Sequence, residues 1–148
     1  MTIRRFEDLE CWQLARDLTR KVYTISGKGL FAKDFEVRGQ IRAAAGSSMH
    51  NSAEGFDAGT NPEFVRFLRI AQRSCTEVKS ELYVALDQQY VAQSEFDELY
   101  ALATRVHKAI GGLIRYLLSS QKPAAANRQP GPRKSEQPRT KSEEPENL

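Results

Sequence analysis

The sequence predicts an all-α fold, an antiparallel up-down-up-down four-helix bundle with a disordered C-terminal tail, and three observations carry that expectation. Apolar residues recur at steps of three and four in four successive stretches. No stretch alternates with the period of two that a half-buried strand requires. The connections between the stretches are short, roughly four to seven residues, which favours antiparallel neighbours.

The first helix is expected over about residues 7 to 26, with Leu9, Trp12, Leu18, Val22 and Ile25 on one face, and Gly27-Lys28-Gly29 stopping it. The second runs from Asp34, a suitable N-cap, to Glu54 or Phe56, where Gly55 and Gly59 permit a C-terminal turn. The third opens on Asn61-Pro62-Glu63, a cap followed by Pro at the first helical position, and carries the apolar series Phe64, Leu68, Ala71, Cys75, Val78, Leu82 and Leu86. The fourth begins near Ser94 and repeats Phe96, Leu99, Ala103, Val106, Ile110, Leu113 and Leu117 on a period close to 3.5, which predicts near-antiparallel packing at about 20°. Helix-interior glycines at Gly46 and Gly111-Gly112, with Ala43-Ala44-Ala45, predict close helix approach.

The bundle occupies residues 1–120. Residues 121–148 hold five of the six prolines among Ser, Gln, Lys and Glu, a composition too poor in apolar surface to offset ordering entropy, so they read as a disordered spacer. This tail carries six Lys/Arg and four Asp/Glu, leaving 16 and 15 for the bundle. The folded part is therefore nearly neutral, and any attraction to nucleic acid must come from uneven placement of charge. Cys11 and Cys75 lack C-x-x-C spacing and lie at apolar positions, which predicts buried free thiols in a reducing compartment. With no apolar run near the ~20 residues a bilayer needs and no signal-like start, the expected location is cytoplasmic, without a membrane.

Two constellations stand out. In the second helix Gln40, Asn51 and Glu54 fall in one sector at about 100° per residue, while Arg42 lies around the helix from them. Their residue types suit hydrogen bonds across helices or subunits, with Arg42 as an ion-pair partner, or else a direct ligand or RNA contact. On the third helix Arg66, Arg69 and Arg73 form a stripe about two turns long, suited to phosphate by the planar guanidinium fork. The ordinary alternative is a solvated face paired with nearby acids. Arg16, Arg20 and Lys21 of the first helix are candidates to extend the patch. No nucleophile with a paired base, phosphate loop or Glu-x-x-His pair is present, and His50 and His107 lack ligand spacing beyond chance, so no catalytic residue, metal or cofactor is expected.

Gln40-Ile41-Arg42 followed by Asn51-Ser52-Ala53-Glu54-Gly55 resembles the 23S rRNA intervening-sequence protein family, whose pattern runs roughly Q-[IL]-R-R-A-x-x-S-x-x-x-N-x-A-E-G. Phe6-Glu7-Asp8-Leu9-Glu10-Cys11-Trp12-Gln13-Leu14-Ala15 is similar to the family's F-x-D-L-x-V-W-Q-x-A opening, and Phe67-Leu68, Ala71, Ser74 and Glu77 to its F-L-x-x-A-x-G-S-x-x-E stretch. Ala43, Met49 and Arg73 replace the family's second Arg, its Pro and its Gly, so no role resting on paired arginines or a Pro kink is expected. The resemblance covers residues 6–118 and implies a bacterial antiparallel four-helix bundle that assembles into a homopentamer. It also implies a non-enzymatic scaffold whose partner is structured RNA or a ribonucleoprotein; a protein-interaction module without RNA contact is the alternative.

Overall fold

The computed structural model describes residues 2–120, so the tail expected over residues 121–148 lies outside the described residues. Four α-helices follow in order: α1 (Glu10–Ser26), α2 (Phe35–Asp57), α3 (Asn61–Asp87) and α4 (Gln93–Ser119). Each packs against its neighbours in a closed square, α1 on α2 and α4, and α3 on α2 and α4, which leaves α1 and α3 at diagonal corners. No strand occurs among the described residues.

The helix starts are set by local chemistry. Residues Phe6–Asp8 form a 3-10 turn ahead of α1, so the helix begins later than the apolar pattern suggests. Asp8 Oδ2 accepts from the Arg4 and Arg5 N–H groups at 3.1 and 3.3 Å, and Phe6 packs edge-on to Trp12 with ring centroids 5.1 Å apart. Gln13 Nε2 donates to the Glu7 carbonyl at 2.9 Å, so the Phe6-to-Gln13 motif holds the entry to α1. Asp34 caps α2 by accepting from Val37 N–H at 3.2 Å, and its other carboxylate oxygen accepts from the Tyr90 hydroxyl at 2.8 Å, tying this end of α2 to the end of α3. The cap of α3 is Thr60, whose hydroxyl accepts from Glu63 N–H at 3.4 Å; Asn61 is already helical and donates instead to Ser120 Oγ at 3.1 Å.

The stripes form one core from all four helices, with Leu18, Ile41, Leu68, Cys75, Leu82 and Ile110 fully enclosed. Near the helix ends the core departs from the predicted series: Ala85 and Ile114 are buried where Leu86 and Leu113 are only half-buried. A straight helix turns every 3.6 residues, so a 3.5-residue series drifts off the core over several turns. α2 differs in kind. It fills its core side with Ile41, Ala44, Ala45, Ser48, Ser52 and Gly55, small residues that let neighbouring backbones approach. Thr19 Oγ1 of α1 accordingly reaches Ala45 O at 3.0 Å while also bonded to Ala15 O at 2.7 Å.

Candidate nucleic-acid interface

The family motif on α2 divides between packing and surface. Arg42 pairs with no carboxylate among the described residues. It reaches the C-terminal end of α1, where Nε donates to Ser26 Oγ at 2.8 Å and the guanidinium to Tyr23 O at 3.4 Å, over the Tyr23 ring at 4.5 Å. A cation there meets carbonyls left unbonded by the helix end. Asn51 Nδ2 donates to Ser47 O and Ser47 Oγ, both at 2.9 Å, and the Ser47 hydroxyl is bonded to Ser74 Oγ at 2.7 Å. The chain Asn51–Ser47–Ser74 thus crosses from α2 to α3 through polar groups that are mutually satisfied.

Gly55 is not a turn residue: it lies buried inside α2, and a Cβ there would stand 2.8 Å from Phe64 Cδ2 and 2.9 Å from Phe67 Cβ. Gln40 and Glu54 are exposed and make no side-chain hydrogen bond or ion pair among the described residues. The four polar motif residues therefore do not converge on one point.

The arginine stripe lies on the outer side of α3. Arg66 is paired with Glu63 at 3.1 Å and stacks over Phe67 at 4.6 Å, whereas Arg69 and Arg73 are exposed and form no ion pair among the described residues. The candidates on α1 do not extend this stripe, because α1 stands at the diagonal corner. There Arg20 pairs with Asp17 at 2.8 Å, and the same guanidinium holds the Asp17 carboxyl below its usual range. Lys21 turns toward α4 and pairs with Glu98 at 2.9 Å, and Arg16 lies 5.7 Å from the Trp12 ring centroid.

A second basic set, missed in the sequence, sits on α4. Arg105, Lys108 and Arg115 are exposed and unpaired among the described residues. Gln72 Nε2 of α3 donates to His107 O at 3.4 Å and approaches Gly111, and Asn61 meets Ser120, so the C-terminal half of α4 lies level with the N-terminal half of α3. Residues 64–76 and 99–120 contain no Asp or Glu, with Glu63 the one acid in that half of the two helices, whereas residues 77–98 hold Glu77, Glu81, Asp87, Glu95, Asp97 and Glu98 against Lys79 alone. The near-neutral domain is strongly polarised along the α3–α4 face. The acid-free run from Leu99 onward was the sequence signal for this set.

Burial and Lys79 hold the His107 imidazole below its ordinary value, and burial pushes the Cys75 thiol up to about 12. Cys11 and Cys75 are buried free thiols, and among the described residues no three His, Cys, Asp or Glu side chains converge as metal ligands. No helix among the described residues is long and apolar enough to cross a membrane.

Fold and motif together define a four-helix bundle whose motif residues mainly join helices. Residues 7–112 match the family described as 23S rRNA-intervening sequence protein, and the chain belongs to that family. The crystal structure of a protein of unknown function from the S23 ribosomal protein family of Bacteroides thetaiotaomicron VPI-5482 superposes with a TM-score of 0.65 at 18% identity, over 71% of this chain and 98% of that one. At that identity the likeness is one of fold. A search of curated proteins finds no match.

Proposed function

We propose that the protein is a non-enzymatic, oligomeric scaffold that binds structured RNA or a ribonucleoprotein through the basic outer face of α3, in the reducing cytoplasm. The observation that carries this reading is that Arg69 and Arg73 are exposed one turn apart with no carboxylate partner among the described residues. Unneutralised guanidinium groups in a row suit a phosphate backbone and release counterions on binding. Family membership supports an RNA-linked role, and the resemblance that implied it also implied a homopentamer.

Self-association finds support on the outer face of α2. The Cβ position of Gly39 has nothing within 4 Å, and that of Gly46 meets only the His50 imidazole of its own helix, 3.4 Å away. Gly39 and Ala43 are exposed one turn apart, whereas Gly46 is buried with His50 against its Cβ position. An interior Gly costs about 1 kcal/mol against Ala, and the single bundle draws no close helix approach from Gly39. A neighbouring copy would use it.

RNA binding by the full chain should weaken steeply with salt and fall at least tenfold in Arg69→Glu/Arg73→Glu, measured by fluorescence anisotropy with mass checked by light scattering. Absence of binding by the intact oligomer at low salt sinks the reading. A specific observation favours the second reading, a protein-interaction module: Leu30 and Phe35, at the connection into α2, are 67% and 71% exposed. Salt-tolerant capture of a protein partner, abolished by Phe35→Ser, would favour it.

A further inference from the structure

We infer that the acid-poor half of the α3–α4 face is one phosphate-binding surface, in which Lys108 and Arg115 of α4 act together with Arg69 and Arg73 of α3 beside backbone left open at Gly112. The inference rests on the polyanion-binding reading and extends it to a second helix.

The two helices are held in register at this level by the Gln72–His107 and Asn61–Ser120 contacts. Neighbouring helices pack about 8–10 Å apart, so the two basic rows flank a single edge of the bundle. Lys108 and Arg115 are seven residues apart, about two turns, and so share a line along α4. The Arg115 guanidinium folds back over the glycine pair. Its nitrogens lie 3.5 Å from the Cβ position of Gly111 and 3.8 Å from that of Gly112, and Gln72 Nε2 lies 3.1 Å from the former. Gly111 is therefore accounted for by its neighbours.

Gly112 is different. A Cβ there would meet nothing within 4 Å except the Arg115 guanidinium, so the bundle has no packing use for the missing side chain. Bare backbone between two cations is what a phosphate chain needs for close approach. Acids near this half stand to the side: Glu63 is paired with Arg66, Glu54 and Asp57 lie on exposed positions of α2, and Glu77 marks the boundary of the acidic half.

The test uses the full chain and a fluorescein-labelled pool of RNA hairpins, with anisotropy followed across a salt series. Removing two charges at a time gives matched variants: Lys108→Gln/Arg115→Gln on α4, Arg69→Gln/Arg73→Gln on α3, and Arg16→Gln/Arg20→Gln at the diagonal corner. The α4 and α3 pairs should each lower the slope of log K against log salt by about 1.5 to 2, with affinity down tenfold or more, while the α1 pair stays within twofold of the parent. Gly112→Leu, which keeps every charge, should weaken binding several-fold with the slope unchanged.

If the α4 pair binds like the parent while the α3 pair fails, the surface stops at α3 and this inference falls, with the RNA reading intact. Equal losses in all three pairs would mean bulk charge alone and would also overturn it. No binding by the parent removes both.

Discussion

At Gly55 the bundle has no room for a side chain: a methyl group would press on Phe64 and on the α3 backbone, with Phe64 O 3.2 Å away. Overpacking of this kind typically costs about 1–3 kcal/mol, so Gly55→Ala should lower the urea midpoint by a corresponding amount. Gly112 supplies the opposite case within the same molecule. Its Cβ position is open, and an interior Gly gives up about 1 kcal/mol of helix propensity, so Gly112→Ala should raise the midpoint. A destabilised Gly112→Ala would show that the site is not as open as its neighbours indicate. Sequence reasoning singled out Gly55 through its motif but took it for a turn, because motif spacing is silent on which residue of α3 presses against it. Arg42 was legible as a residue needing a partner. Its acceptors were not, since Ser26 Oγ and Tyr23 O belong to a helix end that only the folded chain brings near.

Among the helices, α1, α3 and α4 were legible because large apolar side chains mark their buried faces. α2 has little such contrast; its core side is made of Ala, Ser and Gly, and its place in the bundle follows from Asp34 and the short connections on either side. What escaped the reading of α4 was its solvent side. Arg105, Lys108 and Arg115 stand at helical steps of three and seven, but their place beside Arg69 and Arg73 exists only once α3 packs against α4. The C-terminal half of α3 carries its own electrostatic cost. Burial, followed by Glu77, Glu36 and Asp34, raises the Glu81 carboxyl above its ordinary 4.5. A carboxyl raised in the folded state binds its proton more readily there than in the unfolded chain. The penalty is therefore fully present above the raised value and vanishes below the ordinary one. Glu81→Gln should stabilise the fold at pH 7 by about 0.2–0.5 kcal/mol, the size of a like-charge helix pair, and the gain should fade as pH falls toward 4.5 in chemical denaturation series. A gain that persists at pH 4 would point to a packing effect instead.

Over the whole molecule the near-neutral balance of the bundle hides its arrangement, because composition sums charges without placing them. Positive charge gathers where α3 begins and α4 ends, and negative charge where α3 ends and α4 begins. The α3–α4 face is thus dipolar on a folded unit with little net charge. Such particles attract one another head to tail, and dissolved ions weaken that attraction. The protein should salt in: turbidity of a concentrated solution near neutral pH should clear as sodium chloride rises from a few millimolar to about 150 mM, where the screening length is ~8 Å. Lys108→Gln/Arg115→Gln, by shrinking the positive pole, should be clearer at low salt than the parent even though its net charge lies closer to zero.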